Sequence, residues 1–384
     1  MKIVILSWYP SYINRDILSL ISQTPQHPYP WVFNLAKGLV KLENEVHIIT
    51  FNKEITFDQE ITVNDVIIHY LKPSDSVSKF LTNFKREKQK LYKLIDDIKP
   101  DIIHGQSTEF PANEVINLDY PSVITLHGLT KDFYKLAIGF KNKLRLLYGI
   151  KVEKKVLKKI KNLILISKYV EDSIKNINPE INKYYICNSV AEDFFHKNAN
   201  FESNQIMFIG NDVERKGLFE IVKAIESIEN VFLLIISTDQ TRYYKNVILP
   251  YIKSKNLDSK IKYYKFIENS KIPEQIANSI CLVLPTKAET APMIIGEANA
   301  VGVPVIASNV GGIPYMIKDS ETGFIIKNND TKTLRDKIRF LINNKNIAKE
   351  MGSKAKELAF ERYHPESIAR QTLEVYKNIV NNKQ

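Results

Sequence analysis

The chain has 384 residues, 44% of them hydrophobic and 25% charged, and carries a net charge of +11. These are globular proportions that exclude a disordered chain, and the length exceeds what one ordinary core fills, so two domains of roughly 150–200 residues are expected. Two cysteines, Cys187 and Cys281, stand in no metal or redox spacing, and no stretch approaches the ~18 uncharged residues of a membrane span. The apolar opening is too short for a signal segment and is stopped by Trp8-Tyr9-Pro10. The expected location is therefore cytoplasmic, or peripheral on the inner face of the cell membrane.

KIVILSW predicts a buried first strand, 34–42 a helix, EVHIITF a second strand and VIIHYL a third. A lysine-rich amphipathic helix over 80–99 stops at Pro100, and the strands DIIHGQ and SVITLHG follow, the latter ending in His127-Gly128. Between 131 and 168, twelve Lys or Arg face only two acids, Asp132 and Glu153, so most of the excess charge lies in one tenth of the chain. Leu144, Leu147, Ile150, Val156, Leu157 and Ile160 recur there at roughly helical spacing. Such a helix either lies on an anionic membrane or turns its apolar side to the core and leaves its lysines solvated. Nucleic acid is a weaker partner, because the segment lacks interleaved aromatics.

NLILIS and the helix SKYVEDSIKN close this first series. The polar stretch near 191–205 reads as a linker, and a second βα series begins at QIMFIGN. It continues through the helix RKGLFEIVKAIESI and the strands NVFLLIIS, IKYYKFI, ICLVLP and PVIAS, and 331–382 is almost wholly helical. Strands apolar on both faces, alternating with helices, predict an α/β protein. The expected layout is two Rossmann-like domains, 1–190 and 206–364, with the ligand in the cleft at the C-terminal ends of their strands.

The residues that carry chemistry concentrate at 285–312, PTKAETAPMIIGEANAVGVPVIASNVGG. Pro292 suits the first turn of a helix, and Gly302 with Pro304 ends it. The N–H groups of Met293, Ile294 and Ile295 are then open to phosphate oxygens. Glu289 precedes this terminus and Glu297 lies inside the helix, a span suited to the two ends of a nucleotide sugar. Taken singly, Glu289 could merely favour the helix dipole and Glu297 could be a solvated helix residue. Arg215 and Lys216 precede Gly217 at another helix start, where two cations could neutralise a diphosphate or form an ordinary basic turn. At His127-Gly128 the glycine permits close approach and the histidine can bond hydroxyls, unless it is a satisfied structural histidine. His104, within a strand, and His27, in a proline-rich loop, are less telling.

In this order the motifs resemble the retaining glycosyltransferases of family 4, which have the GT-B architecture. The main mark is E-x7-E at Glu289 and Glu297, followed by GGIP and DSETGFII. KPDIIHGQ, TLHG, LILISKYV, ICNSVAEDFF and RKG support it over nearly the whole chain. The resemblance implies that Glu297 holds the ribose, Glu289 contacts hydroxyls of the transferred sugar, and the backbone at Pro292, Met293 and Ile294 lies near sugar and phosphates. It further implies that Lys216 stabilises the diphosphate, that His127 faces the sugar, and that helix 365–384 packs back on the first domain.

Neither metal nor another cofactor is implied, since the donor is itself a substrate, with UDP-sugars favoured. The acceptor would be a hydroxyl of a glycan or lipid-linked glycan in cell-surface polysaccharide or glycoconjugate synthesis. The chain departs from the family pattern where Asn211, after Gly210, replaces a common arginine, for which Arg215 is the expected substitute. It also lacks a Gly-Gly loop after the first strand, so Tyr9, Tyr29 and Trp31, with Gly128, are expected to pack an acceptor or the domain edge. Asn188-Ser189-Val190 replaces the common NGV, and Tyr315 a frequent glutamate. A GT-B-fold nucleotide-sugar epimerase and a non-catalytic carbohydrate-binding partner stay open as alternatives. A glycoside hydrolase would use two carboxylates but has no need of a diphosphate grip.

Overall fold

The computed structural model describes residues 1–7, 30–53, 55–74, 84–137, 139–239 and 241–382, so Tyr9, Tyr29 and His27 lie outside the described residues. The chain folds as two compact units, Met1–Ser189 with Pro365–Gln384, and Val190–His364.

The first unit is built on an eight-stranded sheet. Its strands are β1 (Lys2–Leu6), β2 (Glu45–Phe51), β3 (Gln59–Val63), β4 (Val66–Leu71), β5 (Ile102–Gln106), β6 (Ser122–Leu126), β7 (Asn162–Leu165) and β8 (Asn182–Tyr185). Their order is β3-β4-β2-β1-β5-β6-β7-β8, parallel except for the β3–β4 pair. In β1, Ile3 to Leu6 are fully buried, as a strand covered on both faces requires. One face packs Leu91, Ile95, Val156, Leu157 and Val170. The other packs Val32, Leu35, Ile368, Ala369 and Tyr376, which come from the helices Pro30–Lys41 and Pro365–Asn381. Those two helices approach closely at Gly38, where a β-carbon would lie 2.7 Å from that of Ala369.

The β3–β4 hairpin is a feature the sequence reading lacks. QEITV alternates half-buried and exposed residues, the pattern of an edge strand with one wet face. Asn64 and Asp65 both take positive φ (48° and 61°), as a two-residue hairpin turn of the primed type demands.

The second unit carries β9 (Gln205–Ile209), β10 (Phe232–Ile236), β11 (Ile261–Tyr264), β12 (Cys281–Leu284), β13 (Val305–Ser308) and β14 (Gly323–Ile326). Their order is β11-β10-β9-β12-β13-β14, all parallel. The expected linker at 191–205 is instead part of this unit. It holds a short helix, Glu192–Phe195, whose Phe194 and Phe195 are buried, and Asn200 N–H donates to Ala277 O at 2.6 Å. Two phenylalanines anchor a segment whose polar composition suggested a tether.

The basic segment matches the core-facing alternative only in part: Val156, Leu157 and Ile160 are buried as it expects. The helix Phe140–Lys159 buries Leu146, Glu153, Val156 and Leu157, whereas Leu144 and Leu147 point into solvent.

Candidate active site

In the second unit, the loop after β9 and the loop after β12 are stitched together. Lys287 N–H donates to Arg215 O at 2.8 Å, and Thr286 Oγ1 donates to the same carbonyl at 3.3 Å. Arg215 reaches back, its Nε donating to Asp212 Oδ2 at 2.7 Å and one terminal nitrogen to Ala288 O at 2.5 Å and Glu289 Oε1 at 3.0 Å. Lys216 Nζ stands 3.7 Å from the same Glu289 oxygen. Glu289 therefore holds two cations at once, and all three side chains are less than a quarter exposed.

The Lys216 stem lies across Gly210. The glycine has φ +145°, and a β-carbon there would sit 2.6 Å from Lys216 Nζ and 2.7 Å from its Cδ. Only glycine lets the ammonium settle at the end of β9. A second glycine, Gly311 (φ +54°), lies where a β-carbon would overlap the Glu289 carbonyl, and Gly312 N–H donates to that carbonyl at 3.2 Å. The backbone of Glu289 is thus clamped from the loop after β13.

The helix Met293–Val301 begins after Pro292, whose extended ψ of 117° makes it the cap residue rather than part of the first turn. Ile295 N–H is already taken by Pro292 O at 3.1 Å, so the expected trio of open donors reduces to Met293 and Ile294. Gly302 (φ 89°) ends the helix as expected. Glu297 is 6% exposed, and burial pushes its carboxyl up to about 7, opposed by the charge of Lys216. Burial in turn holds the Lys216 ammonium below its ordinary value, against Glu289 and Glu297, which favour its charge. The structure thus brings Lys216, Arg215, Glu289 and Glu297 into one electrostatic cluster. Asn211 is directed elsewhere: its Oδ1 accepts from Thr238 N–H at 3.0 Å and Thr238 Oγ1 at 2.6 Å, tying the ends of β9 and β10.

In the first unit, His127 follows β6, with half-buried Gly128 beside it. Its Nε2 bonds Gln106 Oε1 at 2.8 Å, which requires the proton on Nε2, and its buried Nδ1 makes no hydrogen bond. Burial pushes the ring down to about 4, with Asn188 working against it. A neutral ring with an open acceptor nitrogen results. Trp31 packs against it at a centroid distance of 5.3 Å.

Two further groups, unremarked in the sequence, extend this arrangement. Gln106 Nε2 lies 3.1 Å from His104 Nε2, and His104 Nδ1 meets Tyr376 Oη at 2.6 Å. A small pocket opens among Trp31, His104, Gln106, Thr125, Asn188 and Thr372. The signal for Gln106 was its place at the end of the strand IIHGQ. Tyr376 had none, being 272 positions from His104.

Residues 31–193 match the family model described as Glycosyltransferase Family 4, and residues 189–358 match that of Glycosyl transferases group 1. The chain belongs to glycosyltransferase family 4. Over 367 residues this glycosyltransferase is 27% identical to an uncharacterised glycosyltransferase of Methanocaldococcus jannaschii, covering 94% of this chain and 93% of that one. Among solved structures, sucrose-phosphate synthase from Thermosynechococcus elongatus matches with a TM-score of 0.81 at 17% identity, covering 100% of both chains. Anabaena HepE, solved in complex with UDP-glucose, matches with a TM-score of 0.72 at 15% identity, covering 98% of this chain and 100% of that one. These likenesses are likenesses of fold, and the fold is GT-B. No helix among the described residues is long and apolar enough to cross a membrane.

Proposed function

We propose that the protein is a retaining, metal-independent glycosyltransferase that moves a hexose from a UDP-sugar to a hydroxyl of a glycan or lipid-linked acceptor. The observation that carries this reading is the Lys216 ammonium, buried over Gly210 between Glu289 and Glu297 and beside Arg215. A doubly charged diphosphate is the ligand that such a low-dielectric cationic pair rewards most, and the charge developing on the departing phosphate strengthens the contact in the transition state.

In this reading Glu297, as carboxylate, accepts from the two ribose hydroxyls. The N–H groups of Met293 and Ile294 face phosphate oxygens, and Glu289 contacts sugar hydroxyls while keeping both cations in place. His127 Nδ1 accepts from a sugar hydroxyl. The acceptor oxygen attacks the face that the phosphate leaves: the C1–O bond to the phosphate breaks, the C1–O bond to the acceptor forms, and the acceptor proton passes to the departing phosphate. No protein nucleophile is needed, which agrees with a Glu289 already engaged by two cations. The UDP-glucose in the HepE complex supports the choice of nucleotide.

Thermal shift with UDP-, GDP- and ADP-sugars tests the donor. At a hundredfold excess over Kd a bound donor contributes about 2.7 kcal/mol, or roughly 5–10 °C for a domain of this size. A shift with GDP- or ADP-sugars alone would sink the UDP assignment. Proton NMR of the product anomer tests retention, and an inverted anomer or an epimerised nucleotide sugar formed without acceptor would overturn the reaction class.

A further inference from the structure

We propose that the outward face of the Phe140–Lys159 helix is a docking surface for an anionic lipid bilayer. At 100° per residue, its buried Leu146, Glu153, Val156 and Leu157 fall on one side. The opposite side begins with Phe140, Leu144, Leu147 and Tyr148, which are 81%, 57%, 42% and 56% exposed. It continues along the same stripe with the exposed Lys151, Lys155 and Lys158. A helix that merely covers a core places polar residues outward. Here the outward stripe is apolar for two turns and cationic for the next two. Phe133, on the preceding helix Thr130–Leu136, adds another exposed ring at 58%.

The charge pattern selects the partner. Glu153 is the one acid on this helix, and it is turned inward, accepting from Thr130 N–H at 3.1 Å and Thr130 Oγ1 at 2.8 Å. Nearby Asp132 is paired with Lys135 at 3.2 Å. Every charged side chain that this helix turns outward is therefore cationic. Protein interfaces deplete lysine, and nucleic acid gains nothing from leucines. An anionic membrane surface uses both halves of the stripe: acyl chains take the Phe and Leu side chains, and headgroups take the lysines.

The test is co-sedimentation of the full chain with phosphatidylcholine vesicles, with and without phosphatidylglycerol. Each lysine near an anionic surface strengthens binding about fivefold, so exchanging Lys151, Lys155 and Lys158 together for Gln weakens it ~100-fold. Phe140→Ser and Leu144→Ser each weaken it about tenfold. Salt near 1 M, with a Debye length of about 3 Å, releases the protein. All these side chains are exposed, so circular dichroism and the donor-induced thermal shift stay as in the parent. That separates failure of this inference from failure of the donor reading. Absence of binding to phosphatidylglycerol vesicles at low salt overturns the inference, as does equal binding to pure phosphatidylcholine. So does equally tight binding of an RNA oligomer that depends on the lysines but not on Phe140 and Leu144.

Discussion

Gly210→Ala separates the position of the Lys216 ammonium from its charge. The new methyl group would meet Lys216 Nζ at 2.6 Å and Cδ at 2.7 Å, where ordinary contact lies near 3.5–4.0 Å. The lysine stem must therefore yield by about 1 Å, and the ammonium, 3.7 Å from Glu289 in the parent, leaves its place between the glutamates. A charge-assisted hydrogen bond is worth about 1.5–3 kcal/mol, so a lost diphosphate contact weakens donor binding roughly 10- to 150-fold. The alanine also inherits φ +145°, a conformation that strains the fold by about 1–3 kcal/mol and lowers its melting point by several degrees. Calorimetric titration with UDP-glucose, run well below the transition and beside Lys216→Met, measures the effect. If Gly210→Ala binds within about twofold of the parent while Lys216→Met does not, the placement argument is refuted. If both bind like the parent, the diphosphate role of Lys216 falls with it.

Glu289→Ala should lower transfer by about 10²-fold or more while the fold survives, because it removes the proposed sugar contact and releases Arg215 and Lys216 together. Transfer assays with circular dichroism check this. Glu297, held at about 7 by burial, must ionise to accept from a ribose, so UDP-glucose affinity should rise with pH up to about tenfold per unit below 7 and level off above it; Glu297→Gln should flatten the profile. Burial has the opposite sign at His127: its folded value of about 4 lies below 6.5, so its contribution to the stability of the first unit is full above pH 6.5 and falls by about 3 kcal/mol as pH falls to 4, in addition to the losses at His69 and His104, which burial also pushes down. The second unit has no tryptophan, so indole fluorescence does not report on it and follows the urea unfolding of the first unit selectively. Gln106→Leu removes the acceptor that fixes the His127 tautomer, so its contact with the donor sugar weakens, and both kcat and donor affinity, measured by calorimetry, should fall.

The cluster of Arg215, Lys216, Glu289 and Glu297 was legible because its parts are local: RKG spans three residues and E-x7-E nine, and the turn residues around them fix the chain direction. The doubly wound sheets were legible because a strand buried on both faces is continuously apolar, as Ile3 to Leu6 are. What stayed hidden depends on who packs against whom. His104 looked like an ordinary strand residue because its partner Tyr376 arrives from the far end of the chain. The 191–205 segment is mostly polar, and only its two buried phenylalanines decide that it belongs to a core. Asn211 carries no mark in sequence that its side chain is turned toward Thr238. On the basic helix, periodicity showed two faces, but which one the sheet covers is settled by Leu146 and Val156 rather than Leu144 and Leu147.

The helix Pro365–Asn381 completes a core begun by the first strand, so the first unit is split in the chain by the whole of the second. On the ribosome, at about 5–20 residues per second, the sheet of the first unit waits on the order of 10–40 s for the side chains that cover one of its faces. Until then Ile3, Ile5 and Leu35 lack Ile368 and Tyr376, and His104 lacks one of the two hydroxyls that hold it, keeping only that of Thr125. The second unit, Val190–His364, is contiguous and has no such wait. The order of synthesis is therefore the reverse of the order of completion: the half of the protein made first is finished last.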